Sequence, residues 1–101
     1  MIKIFHSPKS RKDLDRIYDY IYDDLNKPIA AEKTVKGILD KIGELKEYPR
    51  RGSVWYLENN IDSGFRFLRC DNYIIFYQIS KETILIVQIL HRLQDYVKQL
   101  F

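Results

Sequence analysis

The sequence predicts an α+β fold of order β-α-α-β-β-β-α. An N-terminal strand is followed by an antiparallel helical hairpin packed on an antiparallel sheet, and a short C-terminal helix closes the chain. Two observations carry this. Apolar residues recur at helical spacing in two stretches between Leu14 and Leu45, and three apolar runs rich in β-branched and aromatic residues follow Gly64. Helices grouped ahead of strands argue for a hairpin lying on one face of the sheet rather than for alternating βαβ units. The 101 residues suffice for one domain, expected to span residues 1–101.

Ile2 to Phe5 is a short apolar segment that reads as a strand, and Ser7-Pro8-Lys9-Ser10 breaks it. Ser7 or Ser10 can cap the helix that follows. Leu14, Ile17, Tyr18, Ile21, Tyr22 and Leu25 form its apolar stripe, with Lys12, Asp15, Arg16, Asp19 and Asp23 on the other face. Asn26-Lys27-Pro28 turns the chain, and Pro28 opens a second helix because proline suits a first helical turn. Ala31, Val35, Ile38, Leu39, Ile42 and Leu45 make its stripe, and Tyr48-Pro49 ends it. Neither helix can bury its stripe alone, so the two pack as an antiparallel pair.

Arg50 to Ser63 is irregular, with a short strand near Val54 to Leu57. Phe65 to Cys70 then begins the strands. Asp71-Asn72 turns into Tyr73 to Ile79, a nearly unbroken apolar run that reads as a central strand covered on both faces. Ser80 to Thr83 turns into Ile84 to Leu90. Leu93 to Phe101 reads as the closing helix, with Leu93, Val97 and Leu100 on one side.

The composition excludes several classes. At 46% hydrophobic the chain is too apolar to be disordered. The net charge of +3 permits an acidic or nucleic-acid partner without demanding one. Cys70 is the single cysteine, so no internal disulfide framework exists and a reducing cytoplasm fits. Its apolar strand makes it an inert thiol. The N-terminus lacks the apolar core of a signal peptide, and no apolar run approaches membrane-spanning length. No His, Cys or carboxylate spacing suits a metal and no glycine loop suits a phosphate, so neither a metal nor a cofactor is expected. His6 has no recognisable partner. Lys9, Arg11 and Lys12, and Arg50 with Arg51, read as solvated basic groups, with phosphate contact as the open alternative.

Five segments, in order, carry a family resemblance. Asp13-Leu14 is followed by Ile17-Tyr18-Asp19-Tyr20-Ile21, and Pro28-Ile29-Ala30-Ala31 opens the second helix. Leu45 to Gly52 matches Leu-x-x-x-Pro-x-x-Gly. Gly64-Phe65-Arg66 leads to Asn72-Tyr73-Ile74-Ile75-Phe76-Tyr77, and Ile89-Leu90-His91-Arg92 follows. Over nearly its whole length the chain resembles the RelE/ParE superfamily of bacterial type II toxin–antitoxin toxins, and its Leu-His ending is similar to ParE-type members. The resemblance implies the sheet-and-hairpin fold. It also implies an antitoxin that wraps the toxin and growth arrest when that antitoxin is lost.

Superfamily members diverge in target: RelE-type members cut mRNA in the ribosomal A site, and ParE-type members inhibit DNA gyrase. Cleavage by 2′-hydroxyl attack needs a base, an acid and positive charge around the phosphorane. RelE-type members carry lysines where this chain has Phe65 and Phe67, and an arginine where it has Ile74. For RNA cleavage that leaves His91, Arg66 and Arg69 as catalytic candidates, with Arg92 and Tyr96 beside them. Strand alternation puts Arg66 and Arg69 on opposite faces unless a bulge intervenes. The expectation is therefore a gyrase inhibitor. The alternative is a metal-independent, ribosome-dependent mRNA endonuclease. Trp55, Tyr56, Arg92 and Tyr96 are expected to touch a partner or target. Leu57 joins the first two in an irregular stretch where packing alone does not explain three large residues. The expected antitoxin is acidic and encoded by the adjacent gene.

Overall fold

The structure, a computed structural model, describes residues 1–92. The elements are β1 (Lys3–His6), α1 (Pro8–Asp19), α2 (Pro28–Gly43), β2 (Ser53–Tyr56), β3 (Asp62–Cys70), β4 (Tyr73–Ser80) and β5 (Thr83–His91). A π-helical turn, Tyr20–Asp24, extends α1. The predicted closing helix, Leu93 to Phe101, lies outside the described residues.

Each boundary has a local cause. Ser7 caps α1, its Oγ accepting the Ser10 N–H at 3.0 Å, with Pro8 at the first helical position. Pro28 opens α2 in the same way. Asn26 (φ 54°), Asp71 (φ 53°) and Lys81 (φ 54°) adopt the left-handed conformation at the three expected turns.

The strands form one sheet of order β1-β5-β4-β3-β2. Strands β2 to β5 make an antiparallel meander, as expected from their short turns. Two details refine the sequence reading. The short strand expected near Val54 to Leu57 is found at Ser53–Tyr56, where it pairs with β3 as an edge strand that the predicted element order did not count. And β1 pairs parallel with β5, Lys3 opposite Thr83 through His6 opposite Ile86, so the sheet is mixed rather than wholly antiparallel. A tight turn forces antiparallel pairing, but β1 is tied to its neighbour by no turn, and the helices between supply the long connection parallel strands need.

The hairpin covers one face of the sheet. Ile38, Ile42 and Leu45 pack there against Leu68, Ile75, Tyr77, Ile84, Ile86 and Ile89, with Leu14 and Ile17 from α1. On the other face Ile74, Phe76 and Leu90 cluster with Trp55 and Phe67. Strand β4 is thus buried on both sides, which is why its apolar residues do not alternate with polar ones. Along α1 and its π-helical extension the stripe divides: Ile21 enters the core, while Tyr18 and Tyr22, one helical turn apart, stack on each other with ring centroids at 5.6 Å.

Candidate functional site

Strand β5 runs on past the end of β1, from Val87 to His91, and α1 lies alongside it there. At this point β5 bulges. Ile86 pairs with Tyr77 and Gln88 with Phe76, so Val87 is an extra residue. Before the bulge, Ile84 and Ile86 face the hairpin. After it, alternation is shifted by one: Ile89 and His91 face the hairpin, while Leu90 faces the opposite cluster.

His91 consequently lies opposite Tyr73 on the hairpin side, their rings edge to face at 5.5 Å. The two residues help line a groove of about 1110 Å³. Arg16, Ile17 and Tyr20 form one wall and Leu25, Lys27 and Ala30 another. Asp71, Asn72 and Ile89 also line it. The π-helical turn shapes the wall: Leu25 N–H reaches back to the Tyr20 carbonyl at 3.1 Å, and the wider turn re-aims Tyr20, Ile21 and Leu25 relative to α1. Burial, and then the neighbouring Tyr20, push the Tyr73 hydroxyl above its ordinary range. The Tyr73 phenol is therefore protonated at neutral pH.

Asp13 sits at the back of this groove and is 1% exposed. Its carboxylate accepts the Ile89 N–H at 2.9 Å and pairs with Lys9 at 2.9 Å and Arg16 at 3.4 Å. A buried carboxylate persists when charge and hydrogen bonds offset its lost hydration, and here both are supplied.

The residues proposed from sequence for RNA cleavage do not converge. Arg66 lies opposite Tyr77 and Arg69 opposite Ile74, with no register shift between them, so the two point to opposite faces. Arg66 shares a face with His91. They are separated along the strands by the four-residue step from Tyr73 to Tyr77, roughly 13 Å at 3.3 Å per residue. Arg66 is also committed elsewhere: its Nη1 donates to the carbonyl of Gly52 at 2.8 Å and reaches that of Arg50 at 3.4 Å. Arg69 is exposed on the far face.

Of the residues proposed to meet a partner, Trp55 packs edge-on against Phe67 and Phe76 at 5.6 and 5.5 Å, while Tyr56 is exposed beside exposed Leu57 and Ile61. Arg92 is exposed after β5, its N–H bonded to the Asn72 carbonyl at 2.7 Å. Tyr96 lies outside the described residues. Burial raises the Cys70 thiol, the reverse of what a nucleophile needs. No group of three or more His, Cys, Asp or Glu suited to a metal occurs among the described residues. No helix among them is long and apolar enough to cross a membrane.

Sequence reading singled out His91 but missed Arg16, Tyr20, Tyr73 and Asp13 around it. Tyr73 could have been found from its place opposite His91 in a β4–β5 hairpin. The other three depend on how α1 lies across the sheet.

A family model described as the ParE toxin of the type II toxin–antitoxin system parDE matches residues 4–96. In structure the chain is similar to a chain of the chromosomal ParDE toxin–antitoxin system from P. aeruginosa. There the TM-score is 0.75 and the identity 25%, covering 90% of this chain and 96% of that one. It also shares its fold with a chain of the RelBE2 toxin–antitoxin complex from Mycobacterium tuberculosis, at TM-score 0.62 and 19% identity, covering 90% of this chain and 98% of that one. The YoeB dimer from Staphylococcus aureus matches with TM-score 0.57 and 19% identity, over 86% of this chain and 92% of that one. No curated protein matches the chain significantly in sequence.

Proposed function

The chain belongs to the ParE toxin family of type II toxin–antitoxin systems, and we propose that it arrests growth by binding and inhibiting DNA gyrase once its antitoxin is lost. The observation that carries the choice of target is the dispersal of Arg66, Arg69 and His91 over two faces and two ends of the sheet. A phosphorane needs its cation, base and acid within reach of one reacting centre. Ile74 and Phe67, at positions where RelE-type members carry charge, are packed with Phe76, Leu90 and Trp55. Both observations favour action by binding.

A supercoiling assay with purified full-length chain decides it. Inhibition of gyrase at micromolar chain is the expected result, and unimpaired supercoiling at that concentration sinks the reading.

One observation favours the second reading, a ribosome-dependent mRNA endonuclease. His91, Tyr73, Tyr20 and Arg16 share one groove, which brings an imidazole, two phenols and a guanidinium together. Mapping mRNA 5′ ends after induction tests it, and unchanged ends during growth arrest reject it. In either case the partner in the resting cell is an antitoxin. The +3 charge of the chain supports an acidic one; an adjacent antitoxin gene and action in the cytoplasm belong to the same proposal.

A further inference from the structure

Three hydrogen bonds, two from Ser7 at the β1–α1 junction and one to Asp13 within α1, fall on the β5 bulge and the residues flanking it. The Ser7 N–H donates to the Ile86 carbonyl at 2.9 Å, the Ser7 hydroxyl to the Val87 carbonyl at 2.6 Å, and Asp13 Oδ2 accepts the Ile89 N–H at 2.9 Å. Beyond His6, where β1 ends, no strand among the described residues continues the pairing on that side of β5. Left alone, the Val87 carbonyl and Ile89 N–H would be unpaired backbone groups beside a packed core, and such groups are costly. A side chain from α1 replaces the missing strand.

We propose that Asp13, with Ser7, is a register lock: it holds the Val87 bulge and thereby decides which face of the sheet His91 occupies. The inference rests on reading the His91 groove as part of the surface this toxin uses. Strand alternation makes the choice binary. With the bulge, Ile89 and His91 face the hairpin. A regular β5 without it would turn Gln88 and Leu90 toward the hairpin and His91 away. Asp13 also pairs with Arg16, a wall residue of the groove. One carboxylate thus fixes both the wall and the histidine opposite it. Asp13 is a positioning residue, and it need not touch any target.

The test uses the full-length chain, isotope-labelled for NMR, as wild type, Asp13→Asn, Asp13→Leu and Ser7→Ala. Asparagine keeps an acceptor for the Ile89 N–H, so Asp13→Asn should retain the nuclear Overhauser contact between the His91 and Tyr73 rings. Leucine keeps the volume without the acceptor. In Asp13→Leu that contact should be lost and Ile89 amide exchange should accelerate roughly ten- to a hundred-fold relative to the β4 amides. An intact ring contact with unchanged Ile89 exchange in Asp13→Leu overturns the proposal. Should that variant fail to fold, Ser7→Ala, which removes the hydroxyl bond to Val87, must still accelerate Ile89 exchange, and unchanged exchange there overturns it equally. Growth arrest is scored separately. Lost ring contact with undiminished growth arrest upholds the lock and instead removes the groove from the toxin's working surface.

Discussion

The Tyr77 hydroxyl holds the Gly52 backbone, accepting its N–H at 2.9 Å while donating to the Pro49 carbonyl at 2.9 Å. A Cβ on Gly52 would fall 2.6 Å from that same hydroxyl oxygen and 2.7 Å from the Phe67 carbonyl, so only glycine fits. Arg66 closes the loop from the other side through the Gly52 carbonyl. Three sequence motifs far apart in the chain, Pro-x-x-Gly, Gly-aromatic-Arg and Phe-Tyr, therefore meet in one place. Their shared role here is to fasten the loop from α2 to β2 onto the sheet, at a distance from His91.

Removing the hydroxyl alone leaves the Gly52 N–H and Pro49 carbonyl without it. Tyr77→Phe should destabilise the chain by about 1–3 kcal/mol, measured by urea unfolding. Gly52→Ala should cost a similar amount or more, since overpacking against backbone typically costs ~1–3 kcal/mol. A Tyr77→Phe chain as stable as wild type would remove the latch from the account of the fold.

Because Arg66 and Tyr77 fasten the same loop, their losses should not add. In a double-mutant cycle of Arg66→Ala and Tyr77→Phe, the coupling energy should exceed ~0.5 kcal/mol. Strict additivity would mean that each side chain acts through some other contact. Arg69→Ala, on the exposed far face, should change stability by less than ~0.5 kcal/mol.

How much of this was legible beforehand follows from which interactions are local. Both helices, the capping Ser7 and the turns at Asn26 and Asp71-Asn72 follow from spacing and turn chemistry within a few residues. So does the opposition of Arg66 and Arg69, which needs only strand alternation. Strand β2 was half-legible, because its four residues carry no clean alternation and its partner lies across a turn with Asn59 and Asn60 in the left-handed region. The direction of β1 and the groove around His91 were not legible. Both depend on contacts between residues some 76 to 80 positions apart, such as Ile89 with Asp13 and Val87 with Ser7. The bulge at Val87 leaves no mark on an apolar run.

His6 gives a pH dependence of known sign. Its Nδ1 is buried without a hydrogen-bond partner among the described residues, and burial, then Arg11, lower its pKa below the ordinary 6.5. The unfolded chain, at the ordinary value, takes up the proton first. The His6 contribution is therefore fully present above about pH 6.5 and is lost as pH falls through the lower folded-state value. Urea unfolding at about pH 7.5 and about pH 5.5 should show a smaller loss of stability in His6→Gln than in wild type. Equal losses would mean that His6 does not sense the folded environment.

Trp55 and Tyr56 are neighbours in β2 that should behave oppositely, which separates packing from recognition. Trp55 lies edge-on against Phe67 and Phe76, and these rings cover the face of the sheet away from the hairpin. Tyr56 is 57% exposed and adjoins Leu57 and Ile61, at 38% and 58%, where an apolar cluster at the sheet edge gains from being covered. Trp55→Ala should cost roughly 3 kcal/mol or more in stability, as large-to-small changes in aromatic clusters do. Tyr56→Ala should stay within ~0.5 kcal/mol of wild type. Antitoxin affinity should reverse the order. Exposed aromatics at an interface commonly contribute 2 kcal/mol or so, so Tyr56→Ala should weaken the complex by about thirty-fold. Titration of the folded variants with the product of the adjacent gene measures both. Unchanged affinity in Tyr56→Ala would place the antitoxin on another surface, with the His91 groove the next to be tested.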